Sequence, residues 1–205
     1  MRSVETFVRF LSARAICGAV LAVLFFSPAA PLAKQMLAQT AGQKPAGEAA
    51  AQPGAPLVSE DATASVEIAG GTIDIRYNTP HMRGRKIMGA LVPYGQVWRT
   101  GANPATTLIT SVPLKFGDLL VPAGTRTIYS LPSADAWQLI INNQTGQWGT
   151  VYTQSMDLGR IPMKAAPMSA PQEVMSLSFE HSMANSTELH VRWETTDRYV
   201  TITKP

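Results

Sequence analysis

Apolar and polar residues alternate with a period of two along much of the chain beyond residue 63. In "TIDIRYN", Ile73, Ile75 and Tyr77 fall on one face and Thr72, Asp74, Arg76 and Asn78 on the other. "TELHVRWE" sets Leu189, Val191 and Trp193 against Glu188, His190, Arg192 and Glu194 in the same way. Side chains alternate across a strand, so both segments are expected as half-buried antiparallel strands. "ASVEIAG", "ATTLITS", "TRTIYSL", "AWQLIINN", "DLGRIPMK", "VMSLSFEH" and "YVTITK" repeat the pattern. They are separated by the turn signals Gly70-Gly71, "FGD", "PAG", "LPSAD", "NQTG" and "ANS". No window carries a long amphipathic helix and no internal repeat is visible. Short strands with regularly spaced turns predict an all-β fold, an antiparallel β-sandwich or a jelly-roll-like barrel.

The pattern is different at the N-terminus. Arg2, Arg9 and Arg14 precede an apolar run from Ala15 to Phe26, which is followed by small residues and prolines. That is the layout of a secretory signal peptide, assigned to residues 1–33, with cleavage after Ala29 or Ala33. An uncleaved N-terminal anchor is the alternative, although about 12 apolar residues fall short of the roughly 20 that cross a bilayer. Residues 34–62 are rich in Ala, Gln, Gly and Pro, lack aromatics and show no period, as in a flexible linker. Residues 63–205 remain for one β-sandwich domain, enough chain for one core. The product is expected to be exported, periplasmic or extracellular, and not membrane-spanning once the signal is removed.

Composition narrows the chemistry. Cys17, the one cysteine, lies in the signal, so the mature chain has no thiol for disulfides, thiolate catalysis or cysteine-bound metal. The formal charge is +3, but residues 1–33 hold three Arg and one Glu, leaving 14 basic against 13 acidic residues. No block of Lys or Arg remains as a footprint for nucleic acid, and that partner class is set aside.

One stretch stands out between two strand patterns: "RGRKIMGALVPYGQVWRTGANPATT", residues 83–107. Read with "VPAGTRTIYSLP", "AWQLIINN", "QWG" and Tyr152 further on, it resembles the bacterial DUF2911 family of secreted or envelope proteins, which has no assigned function. The resemblance covers roughly residues 63–180. It rests on Gly84-Arg85, the run from Leu91 to Gly95, the run from Trp98 to Asn103, and Ala105-Thr106. Pro104 stands where the family usually has Glu, and Arg126 where it usually has Tyr. Any family activity that uses those two residues is in doubt here. The resemblance implies a fold and a compartment and is silent on chemistry.

The candidate ligand-binding residues are Arg85, Trp98, Arg99, Asn103 and Trp148. An aromatic face beside a guanidinium fork suits sugars or anionic groups. The opposing reading has Trp98 filling the core and Arg99 satisfying loop carbonyls with its five donors. Gly101-Ala102-Asn103-Pro104 reads as a tight turn whose successive N–H groups can form an anion nest. Arg83, Arg85 and Lys86 form either a solvated loop face or a local anion site. Trp148 either faces the same cavity or packs a hairpin.

No catalytic residue is assigned and no cofactor or metal is expected. The three histidines share no metal-ligand spacing, H-E-x-x-H is absent, and His81, beside Arg83, is the one worth testing. G-x-S-x-G, P-loop and G-x-G-x-x-G motifs are also absent. The chain therefore reads as an extracytoplasmic binding module for a small polar or anionic ligand, a sugar or cell-wall fragment, rather than an enzyme. The alternatives are a secreted hydrolase using two of Asp74, Asp118, Asp135, Asp157, Glu173 and Glu180 in a cleft, and an envelope protein that binds a protein partner, with Met163, Met168 and Met175 as an adaptable surface or as core.

Overall fold

A computed structural model describes residues 59–205. The expected signal peptide, and the linker as far as residue 58, lie outside the described residues. β1 begins at Glu60, ahead of the boundary expected at residue 63.

The described chain is all-β and antiparallel. Its strands are β1 (Glu60–Ile68), β2 (Gly71–Thr79), β3 (Thr106–Thr110), β4 (Leu114–Phe116), β5 (Leu119–Val121), β6 (Gly124–Leu131), β7 (Trp137–Asn142), β8 (Asp157–Ala166), β9 (Gln172–Met183), β10 (Ser186–Glu194) and β11 (Thr196–Thr203). The one helical element described is a short 3-10 turn, Gln154–Met156. The nine segments with a two-residue period all form strands, and the additional strands are the short β4–β5 hairpin around "FGD".

Strand order is β1-β2-β3-β6-β7-β8-β11-β10-β9. β8 turns the corner: Asp157 to Met163 pair with β7, and Lys164 to Ala166 pair with β11. The two ends of the order then meet. Ala69 donates its N–H to Ala184 O at 2.7 Å, and His81 bridges Val174. The result is a nearly closed barrel. β4 pairs with the last residues of β11, and β5 extends that hairpin.

Inward-facing positions make the core. Ile73 and Ile75 on β2, Leu108 on β3, Leu139 and Ile141 on β7, and Leu189, Val191 and Trp193 on β10 are all buried. The stretch after β2, read from sequence as a loop, adds Ile87, Met88 and Val92 to the same cluster. Met163 and Met175 are core as well. Burying an aliphatic side chain of this size contributes about 1.5–3 kcal/mol, so Ile87, Met88 and Val92 anchor this connection to the barrel while residues such as Arg83 to Lys86 and Pro93 to Gln96 stay exposed.

Carboxylates fasten the connection at its start. Glu194, at the end of β10, accepts the N–H groups of Ile87 (3.1 Å) and Met88 (3.0 Å). Glu173 accepts Arg83 N at 2.7 Å. Further along, Trp98 and Ser130 exchange backbone hydrogen bonds of 2.8 Å, so the segment continues the edge of β6 that β3 has left.

A second, smaller apolar cluster lies on the outer face of β6 and β7. Tyr129 and Ile140 pair across these strands and are covered by Val97, Leu131 and Tyr152.

Candidate functional site

The outer face of β6 and β7 carries a groove of about 300 Å³ between two loops. One wall is Leu91, Pro93 and the run from Gln96 to Arg99, the other is Gly149, Thr150 and Tyr152, and Tyr129 stands between them. Of the residues predicted to bind, the groove unites Trp98 and Arg99. It does not include Arg85, Asn103 or Trp148.

Trp98 reaches the groove from the core side. Its indole stacks on Trp193 at 5.9 Å and meets Trp137 edge-on at 6.3 Å. It therefore joins β7 to β10 across the end of the barrel and shows the groove only part of its surface.

The chain around Arg99 is tightly constrained. Thr100 is fully buried with φ +52°, a conformation that crowds a β-branched side chain. Its hydroxyl lies 2.7 Å from Ser130 Oγ, and its carbonyl accepts Thr106 Oγ1 at 2.9 Å. In the expected turn from Gly101 to Pro104 the left-handed residue is Asn103 (φ +58°), and Thr100 just before it is left-handed as well. Gly101 is needed for space, since a Cβ there would lie 2.9 Å from Thr106 Oγ1 and 3.2 Å from Asn78 O. Gly149 is small for a similar reason: a Cβ would run into Arg99 Cδ and lie 2.7 Å from Asn103 O.

The other predicted residues have local partners. Arg85 donates to the carbonyls of Met82 (3.0 Å) and His81 (2.7 Å), shaping its own loop. The Asn103 carbonyl accepts Gly149 N at 3.1 Å, which joins the two loops. Trp148 bridges Pro104 through its backbone and is 41% exposed. His81 Nε2 lies 2.7 Å from Glu60 Oε2, and this bond chiefly holds the Glu60 carboxyl down at about 2.

Tyr129 and Tyr152, not selected from sequence as binding residues, supply the aromatic floor and wall, packed edge-on at 5.0 Å. The signal available was an aromatic on the outward phase of "TIYSL" beside an outward Ile140, which implies a covered outer face. Tyr129 donates to Val151 O (2.7 Å) and accepts from Gln147 Nε2 (2.8 Å), while burial raises its pKa. Tyr152 donates to Asp157 Oδ2 at 2.7 Å and accepts from Arg160 at 2.9 Å. Burial first, and the Asp157 bond second, push its phenol up to about 12.

Electrostatically the lining carries one formal charge, the Arg99 guanidinium, and no carboxylate. Of the acids considered for hydrolysis, Asp157 adjoins the groove through Tyr152, Glu180 pairs with Arg192, Asp74 accepts from Ser65, and Asp118 and Asp135 are exposed. The groove is suited to hold a ring and an anionic or strongly accepting group, with no acid pair beside it.

Comparison with curated proteins and with solved structures gave no match. The residues that meet in this groove, among them Leu91, Pro93, Trp98, Arg99, Gly149 and Tyr152, all fall within residues 59–202, which match the family described as protein of unknown function, DUF2911, and the chain belongs to that family.

Proposed function

We propose that this protein is an exported, extracytoplasmic binding module that takes a small polar or anionic ligand, a sugar or cell-wall fragment, in the groove between the two loops. The observation that carries the reading is the convergence of Trp98, Arg99, Tyr129 and Tyr152, far apart in sequence, on one cavity of about 300 Å³. Exposed apolar side chains support it. Leu91 and Tyr94 on one loop, and Trp148 and Val151 on the other, are exposed and are lining residues or lie next to lining residues in the chain. A concentration of this kind marks a contact surface more often than scattered single residues do. The leader pattern of residues 1–33 supports the extracytoplasmic location.

The test is a thermal-shift screen of the full chain against neutral sugars, uronic acids and peptidoglycan fragments. A ligand at 100 times its Kd stabilises by about 2.7 kcal/mol, a shift of a few degrees in Tm. Stabilisation by an acidic sugar or fragment is expected to vanish in Arg99→Gln and persist in Arg85→Gln, which lies outside the groove. A shift that survives Arg99→Gln, or no shift with any member of the panel, overturns the proposal.

A further inference from the structure

A different wall of the barrel carries a cluster that the groove does not use. Pairing of β9, β10 and β11 sets Glu188 opposite Glu180 and Thr201, His190 opposite Ser178 and Tyr199, and Arg192 opposite Ser176 and Asp197. These side chains share the outer face, because Leu189, Val191 and Trp193 take the inner one. The ladder between β9 and β10 then slips, with one extra residue on β9 between Glu180 and Met183. His181 lies in that bulge with φ +49°, and its Nδ1 comes within 2.7 Å of Glu188 Oε2. A bulge re-aims a side chain in this way.

His190 is the central group. It is 2% exposed, stacks on Tyr199 at 4.9 Å, and has Nδ1 2.8 Å from Asp197 Oδ1, itself held by Arg192 Nε at 2.7 Å. That contact selects the tautomer with the proton on Nδ1 and leaves the Nε2 lone pair outward. Nε2 is buried and has no hydrogen-bond partner. It faces carboxylate oxygens, Glu188 Oε2 at 3.5 Å and Glu180 Oε2 at 3.9 Å. Acceptors facing one another at these distances call for a cation between them. A proton on Nε2 would reach the nearer oxygen only at 3.5 Å, beyond the usual 2.7–3.2 Å for an N–H donor, whereas a metal ion bridges a gap of that length.

We propose that His181, Glu188 and His190 bind a borderline divalent metal ion of the Zn(II) class. One ligand atom from each of the three lies within 4.8 Å of the others. In a tetrahedral site with bonds of about 2.0–2.2 Å, neighbouring ligand atoms stand about 3.3–3.6 Å apart, and the 3.5 Å from His190 Nε2 to Glu188 Oε2 has that length. His181 Nδ1, 2.7 Å from Glu188 Oε2, has to move outward by roughly 0.6–0.9 Å to take such a position, and its side chain, 72% exposed, has room to do so. The Asp197–His190 contact is the outer carboxylate that fixes a metal-binding imidazole. With neutral histidines, Glu180, Glu188 and Asp197 against Arg192 leave a net charge of −2 around the site, matched to a divalent ion. Two imidazoles and one carboxylate favour Zn(II) over the oxygen-seeking Ca(II) and Mg(II). The ion ties the terminal strand β9 to β10 and leaves its fourth position to solvent.

The test is calorimetric titration of the chelator-stripped full chain with Zn(II), followed by Co(II) absorption to read coordination. A single site is expected, with the intense visible bands of four-coordinate cobalt and a Tm raised by several degrees. His181→Ala, a change at an exposed side chain, should leave the metal-free Tm in place and weaken Zn(II) by about tenfold or more, and Asp197→Asn should weaken it by about 10- to 100-fold. Absence of binding by the wild-type chain, or equal binding by His181→Ala and Glu188→Gln, overturns the proposal.

Discussion

At the scale of single residues, contacts decide more than residue type does. Gly149 lies under the Arg99 stem, so the added methyl of Gly149→Ala must displace either that side chain or the Asn103 carbonyl. Overpacking of this kind costs about 1–3 kcal/mol. A Tm lowered by a few degrees, with ligand binding weakened as Arg99 shifts, is the expected outcome, and an unchanged Tm in thermal denaturation would show that the loops do not meet as described. Tyr152 gives a pH signature. Its folded pKa, about 12, lies above the ordinary value of 10.0. The stability contributed by the protonated phenol is therefore complete below pH about 10 and is lost as pH rises through about 12. In an alkaline ultraviolet titration, Tyr152→Phe should remove one late-ionising phenol. Simultaneous ionisation of all five tyrosines near the ordinary value would rule out the burial of Tyr152 together with its Asp157 bond.

At the scale of elements, the connection from β2 to β3 behaves as part of the barrel. Glu194 holds it by two backbone N–H groups, so Glu194→Ala leaves both donors without that partner. The expected cost is about 1–3 kcal/mol, with the Ile87 and Met88 amides losing protection in hydrogen exchange. Protection retained at both amides would mean that packing alone holds the segment. Trp98→Ala removes the indole joining Trp137 and Trp193 and should cost about 3 kcal/mol in chemical denaturation.

The strands themselves were legible in the sequence because alternation is a local property. Ile73, Ile75 and Tyr77 needed no partner to be recognised as one face. Ile87, Met88, Val92 and Trp98 were less legible as core, since they follow neither a two-residue nor a helical period. Their inward direction comes from turns and from carboxylates on β9 and β10, far along the chain.

At the scale of the whole molecule, the seam between β1 and β9 is the weak line of the barrel. The chain just after β1 joins it through Ala69 N–H to Ala184 O, and the chain just after β2 reaches β9 through the His81–Val174 bridge, without a continuous ladder. Amides of β1 that point away from β2 should exchange well before those of β7, which is paired on both sides. Equal protection would indicate a fully closed barrel.

The amino-acid sequence by itself determined nine of the strand segments, the all-β class and, in β2 and β10, which residues face inward, because these follow from the two-residue period and from turn chemistry. It also supplied the family, through motifs that survive in linear order. Tertiary structure alone decided strand order, the corner at β8, the meeting of Trp98 and Arg99 with Tyr129 and Tyr152, and the gathering of His181, Glu188 and His190. The physical reason is that each of these depends on pairing register. One extra residue in β9 re-aims His181, and cross-strand stacking on Tyr199 buries a histidine that its own strand marks as exposed.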